Sequence, residues 1–205
     1  MDNSLIVAPC SYEATKFACE NFHYSKKVPS SKLIKYGVWE DGKFIGAIVY
    51  GDSPTPNMAS PYGLNYTEIC ELRRVALTTH KHPVTQIISK SLKLLHKTNP
   101  NLKLVISYAD KNQNHLGIIY QGGNWIYEGE TKKEIVGIVI KGERVHRRSV
   151  YDRYGTSSLK WIKENIDEEA YPIKSKGKFK YIYPLTKTVK KNYINRAKPY
   201  PKNIV

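Results

Sequence analysis

Tyr108-Ala-Asp-Lys-Asn-Gln-Asn-His-Leu-Gly-Ile-Ile-Tyr120-Gln-Gly-Gly-Asn-Trp125 is the stretch whose reading decides the fold. It grows out of a strongly apolar run, Leu102–Tyr108, that reads as a strand, and Ala109-Asp110 follow directly. A helix over roughly Gln113–Gln121 runs into Gly122-Gly123, a natural stop. Trp125–Tyr127 and then Ile135–Ile140 read as strands that close the core. Upstream, Pro83 opens a helix whose apolar side is Val84, Ile87, Ile88, Leu92 and Leu95. Thr67–Leu77 before it is a strand, and residues 51–66, with three prolines and two glycines, form an irregular loop. Ile34–Trp39 and Lys43–Tyr50 make a hairpin across Glu40-Asp41-Gly42. Ser11–Tyr24 carries apolar residues at the spacing of a short amphipathic helix. Helix, hairpin, strand, helix, strand, helix, strand, strand is an α+β order with a mixed central sheet flanked by helices.

After residue 141 the character changes. A Tyr/Arg-rich stretch leads to a helix near Ser157–Ile166, a late strand Lys178–Tyr183 and an extended tail. The chain therefore divides into a core, residues 1–140, and a basic, tyrosine-rich extension packed on it, residues 141–205. The net charge is +15, and residues 1–140 hold 16 Lys/Arg against 12 Asp/Glu. Residues 141–205 hold 17 against 6, with seven tyrosines and Trp161. A positive field of that density attracts polyanions, nucleic acid first among them. Aromatic rings among cations suit base stacking, which a solvated solubility tail would not need. No apolar run is long enough to span a bilayer, and Met1-Asp2-Asn3-Ser4 does not begin a secretory leader. Cys10, Cys19 and Cys70 fit neither a disulfide framework nor a zinc cluster, so reduced thiols in a cytoplasm are expected.

The element order resembles the GCN5-related N-acetyltransferase fold, with Tyr120 at that fold's tyrosine position and Gly123-Asn124-Trp125 in place of its Gly-Phe turn. Four stretches narrow the resemblance. His23-Tyr24-Ser25, Glu71-Leu72-Arg73-Arg74, Tyr108-Ala109-Asp110 with His115-Leu116-Gly117 and Tyr120, and Gly177-Lys178-Phe179-Lys180-Tyr181-Ile182-Tyr183-Pro184-Leu185 together look like the phage Mom family. The resemblance implies an enzyme that converts adenine to N6-carbamoylmethyladenine in double-stranded DNA and so protects it from host restriction. The exocyclic amine is a weak nucleophile, and a base inside a duplex must be flipped out to meet a donor.

On that reading Asp110 accepts a hydrogen bond from the amine or acts as a base, with a helix N-cap as its alternative. Tyr120 donates a proton to a leaving group, or is a packed core aromatic. Arg74, on an otherwise apolar strand, needs an anionic partner: Glu68, Glu71, Asp110 or a ligand phosphate. Tyr24 joins these as a catalytic candidate. His23, Ser25, Tyr108, His115 and Asn124 are candidates for holding substrate. Arg144, Arg147, Arg148, Arg153, Lys178 and Lys180 are candidates for phosphate contacts.

The small-molecule group donor stays open. Acetyl-CoA is what the fold implies, but the stretch that should cradle its pyrophosphate, Thr78-Thr79-His80-Lys81-His82-Pro83-Val84-Thr85-Gln86, holds no glycine, and Pro83 lacks an amide. Carbamoylmethyl transfer is also alkylation rather than acylation. His80, His82, His115 and Asp110 would suit iron or zinc, and read equally as loop residues. A two-fold homodimer would match a duplex, though nothing in the chain demands one. Two other readings stand beside this one: an acetyl-CoA-dependent N-acetyltransferase acting on a small amine or protein, and a non-catalytic DNA-binding protein on the same scaffold.

Overall fold

Five residues, Leu5–Pro9 (β1), begin the sheet, a strand too short to show an alternation of its own. In the computed structural model, which describes residues 4–52 and 55–202, β1 pairs antiparallel with Leu33–Glu40 (β2), Leu5 opposite Glu40 and Pro9 opposite Tyr36. Residues 1–3 of the Met1-Asp2-Asn3-Ser4 stretch and 53–54 of the proline-rich loop lie outside the described residues. Between them runs Tyr12–Phe22 (α1), capped by the Ser11 hydroxyl, which accepts from Ala14 N at 3.1 Å. Its Ala18 and Cys19 lie against Ala47, Val49 and Ala76 of the sheet, small residues that let helix and sheet approach closely. Lys43–Gly51 (β3) returns from β2 through Asp41 and Gly42, both left-handed (φ 48° and 77°), the two-residue loop that matches the twist of the strands.

Ile69–Leu77 (β4) pairs antiparallel with β3. Its register skips Arg73, since Val49 faces Arg74 and Tyr50 faces Leu72. Val84–Thr98 (α2) buries Ile87, Ile88, Leu92 and Leu95, the face the periodicity predicts, with Pro83 at the cap rather than inside the helix. Leu104–Asp110 (β5) is parallel to β4. The expected helix over Gln113–Gln121 is cut down. Lys111–Gln113 is one 3₁₀ turn, Asn114 and Gly117 are left-handed (φ 55° and 78°), and only Ile118–Gln121 (α3) is helical. Gly117 has no room for a side chain either, because a Cβ there would overlap the Tyr181 ring.

The described residues form a seven-stranded sheet in the order β1-β2-β3-β4-β5-β10-β6, where β6 is Ile126–Glu130 and β10 is Lys178–Pro184. The late strand thus enters the sheet between β5 and β6. Lys187–Tyr193 (α6) and a 3₁₀ turn over Ile194–Arg196 fold part of the segment expected to be an extended tail.

Two compact units emerge. The first takes residues up to Ala109, Leu116–Gly129 and those from Lys180 onward; the second takes Asp110–His115 and Glu130–Phe179. Within the second, Ile135–Ile140 (β7) lies between Glu143–His146 (β8) and Tyr171–Lys174 (β9) in a three-stranded sheet of its own. This corrects the expectation that Ile135–Ile140 closes the core sheet. Arg147–Tyr154 (α4) and Leu159–Asn165 (α5) supply Val150 and Ile162 to the core it shares with Ile138, Ile140, Val145 and Ala170.

Candidate functional site

The ladder between β4 and β5 runs from Ile69 opposite Leu104 to Glu71 opposite Ile106. At the next position a side chain continues it: the buried Ser107 hydroxyl lies 2.9 Å from the Leu72 carbonyl and 2.8 Å from the Tyr120 hydroxyl. A serine hydroxyl has one proton, and a carbonyl can only accept. When Ser107 donates to Leu72, Tyr120 must donate to Ser107; when Ser107 turns to Tyr120, the tyrosine proton is released for another acceptor. Tyr120 is 7 % exposed and packs against Trp125 and Tyr181, with ring centroids 5.0 and 5.1 Å away. Burial pushes its hydroxyl up to about 12; the Ser107 bond opposes this, and Tyr24 and the Glu71 carboxylate add to it. At neutral pH Tyr120 keeps its proton, which suits a donor rather than a base.

His23 caps the end of α1 with its ring 4.3 Å from that of Tyr24, which is half-exposed. Ser25 N donates to His23 Nδ1 at 3.1 Å and the Ser25 hydroxyl lies 2.8 Å from the same nitrogen. Nδ1 is therefore an acceptor, and these residues act as one fixed corner. Arg74 turns to main-chain carbonyls, Arg73 O at 2.7 Å and Lys27 O at 3.4 Å. Arg73, the bulged residue, stands 3.7 Å from the Glu71 carboxylate and donates to Asp52 O at 2.7 Å. Its Nε is buried without a hydrogen bond. A pairing with Glu71, one of the four partners open to Arg74, is thus found at Arg73, the residue the register skips. Tyr108 is half-buried, its hydroxyl raised to about 12 by burial and by the Glu71 and Glu128 carboxylates.

In the second unit, Asp110 caps the Lys111–Gln113 turn, accepting from Asn112 N at 2.8 Å, and its carbonyl receives the His115 amide at 3.1 Å. Capping, the alternative role for Asp110, is what its carboxylate does in this structure. Arg144 is exposed on β8; Arg147, Arg148 and Arg153 are exposed on α4, with Arg153 beside Glu143 at 3.3 Å. Lys178 is exposed at the start of β10. In the first unit, Lys180 lies 3.2 Å from Glu128 and is largely covered. His80 Nδ1 bonds the Thr78 carbonyl at 2.7 Å. Among the described residues no three His, Cys, Asp or Glu side chains come together to hold a metal ion.

The loop before α2 is closed from within. Glu40, at the end of β2, accepts the Lys81 amide on Oε2 and the His82 amide on Oε1, both at 2.8 Å. Two of the amides a coenzyme A pyrophosphate would meet at this loop, those of Lys81 and His82, are already bonded, and Pro83 has none, so this stretch fits that group poorly. Glu40, Ser107 and Glu128 were not singled out in the sequence. Ser107 directly follows the apolar run Leu104–Ile106, a signal that was there to be used. Beside α2 lies a cavity of 410 Å³ whose lining includes Thr85, Gln86, Ser89, Asn124 and Lys190. Asn124, in that lining, is left-handed (φ 56°).

Residues 4–202 match the Mom protein family. The chain belongs to that family. The methylcarbamoylase mom of Escherichia phage Mu is 22 % identical to it over 187 residues, 88 % of this chain and 76 % of that protein. Among solved structures, a mutant form of the spermidine N-acetyltransferase SpeG of Vibrio cholerae matches with a TM-score of 0.50 at 9 % identity, covering 91 % of this chain and 96 % of that one. A GNAT family acetyltransferase of Elizabethkingia anophelis, solved with acetyl-CoA bound, gives 0.47 at 12 % identity over 89 % and 99 %. This Mom family chain has the mixed, helix-flanked sheet of the GNAT acetyltransferases. No helix among the described residues is long and apolar enough to cross a membrane.

Proposed function

We propose that this Mom family chain is a phage-encoded DNA modification enzyme that converts adenine to N6-carbamoylmethyladenine in double-stranded DNA and protects that DNA from host restriction. The observation that carries the proposal is the family match over nearly the whole chain, to which Tyr120 adds a buried acid with a hydroxyl behind it. The donor is a small molecule in which a CH2–CONH2 carbon bears a leaving group. N6 of a flipped adenine forms a bond to that carbon and gives up one proton to a base. The bond to the leaving group breaks, its electron pair departs with that group, and Tyr120 hands the group its proton. Ser107 then turns its own proton from the Leu72 carbonyl to the tyrosine oxygen, which holds the developing charge. Asp110 is the residue proposed from sequence as the base.

Expression in a bacterial host, digestion of the DNA to nucleosides and mass analysis of the adenosine species test the proposal. A carbamoylmethylated species is expected; unmodified adenosine alone under good expression overturns it. Tyr120→Phe should lower the yield about a hundredfold, the scale of a lost general acid. Full modification by both Tyr120→Phe and Asp110→Asn would show the assigned roles to be wrong.

A further inference from the structure

Glu40 ends a strand and precedes a tight turn, a place where a glutamate is ordinarily solvated. Here it is 6 % exposed. Besides the two amides of Lys81 and His82, its Oε1 lies 2.7 Å from His82 Nδ1. A carboxylate is acceptor-only, so the imidazole donates through Nδ1. His82 Nε2 then lies 3.1 Å from the Ser4 hydroxyl, and Lys81 Nζ lies 2.8 Å from Asp41 in the same turn. Burial alone would push the Glu40 carboxyl up, but the three bonds from His82 and Lys81 outweigh it and hold it down at about 2. It is an anion throughout the physiological range.

Consecutive backbone amides ahead of a helix are where proteins receive phosphate, because the N–H groups converge and the helix dipole favours negative charge. In this chain that arrangement exists and is already filled. The strand β2 delivers a carboxylate to it, two amides and an imidazole close around that carboxylate, and the following residue, Pro83, has no N–H to offer a second anion. A phosphate brought to the loop would have to lie in contact with Glu40 or expel it, and two anions sharing one set of donors oppose each other strongly.

We infer that Glu40 is a specificity-determining residue, a built-in anion occupying the phosphate position at the start of α2, so that the group donor engages this chain with no pyrophosphate at that loop. That the loop serves a donor at all rests on the transferase reading above; the occupancy of its amides does not.

The test takes the full chain, isotope-labelled, with coenzyme A and inorganic pyrophosphate as probes. The Lys81 and His82 amide protons are expected to exchange slowly in the unliganded protein, and millimolar coenzyme A should leave their resonances unmoved. Glu40→Gln replaces one accepting oxygen by a donor and should speed exchange at those two amides about tenfold, the size of one charge-assisted hydrogen bond. If that variant does not fold, the wild-type titration still decides. Saturable coenzyme A binding that shifts the Lys81 and His82 amides overturns the inference. The adenosine assay separates the two claims. Modified adenosine together with coenzyme A seated on the loop overturns the role of Glu40 and leaves the proposed function standing. No modified adenosine, with the amides still held by Glu40, does the reverse.

Discussion

Residues 141–179 hold ten Lys/Arg with six Asp/Glu, whereas residues 180–205 hold seven with no acid. The first stretch lies in the second unit and keeps its cations on its surface: Arg144, Arg147 and Arg148 are exposed, as are Tyr151 and Tyr171. The second stretch, with the larger excess per residue, is folded into the first unit, where Lys187, Lys190, Lys191, Lys198 and Lys202 are also exposed but Lys180 and Arg196 are held. Lys180 and Arg196 converge on Glu128 at 3.2 and 2.8 Å, and that carboxylate also receives the Tyr62 hydroxyl. Arg196 lies over the Tyr62 ring at 4.7 Å, and the Tyr193 hydroxyl bonds the Tyr62 carbonyl. Lys198 donates its amide to Tyr127 O at 2.8 Å and Tyr200 its hydroxyl to Trp125 O at 2.7 Å. Charge density alone does not locate a polyanion surface. A basic residue is available to DNA only where no carboxylate or ring of its own chain already holds it.

Four variants would break or sharpen this contrast. Gly117→Ala, pressing on Tyr181 of β10 from a left-handed position, should destabilise by about 3 kcal/mol in a denaturant titration. A neutral result would mean that β10 does not press on Gly117 in solution. Glu128→Ala strands two cations, and because both remain partly solvated the cost should be about 2 kcal/mol, with Tyr62 losing its acceptor as well. Tyr200→Phe removes one hydrogen bond and should cost about 1 kcal/mol. The smallest effect on stability, within about 0.5 kcal/mol, is expected for Arg144, Arg147 and Arg148 changed together to Ala. For that triple variant the reading is the salt dependence of duplex binding, whose log–log slope should fall by about 3 if each contacts a phosphate. A slope that stays put, while the Glu128 variant weakens DNA binding, would reverse the roles of the two stretches.

The hairpin, α1, α2 and the run of strands were legible because each has a periodicity or a turn signal of its own. β1 was not, since Leu5–Pro9 gives five residues and no alternation. The helix drawn through Gln113–Gln121 failed at Asn114 and Gly117, both left-handed; at Gly117 a Cβ would also overlap the ring of Tyr181, 64 positions further on. The same distance effect hid the second sheet: Ile135–Ile140 is as apolar as a core strand, and its partners β8 and β9 follow it in sequence without announcing that they exclude β6. Within the candidate site, Tyr120 and Tyr108 could be picked from the family pattern. Arg73 could not be told from Arg74, because a bulge reverses which face a residue takes and leaves no mark in composition. Glu40 looked like turn punctuation.

The closed loop ahead of α2 also bears on how the protein keeps its shape. A fold that depends on a diffusing ligand gains stability only in proportion to the logarithm of that ligand's concentration. Glu40 is tethered, so its occupancy of the Lys81 and His82 amides follows no metabolite pool. The limit it does face is acid: its folded pKa of about 2 lies below the ordinary 4.5, so its stabilisation is complete above the latter and disappears as pH falls through the former. The segment that opens α2 should accordingly be as firm without a nucleotide as with one.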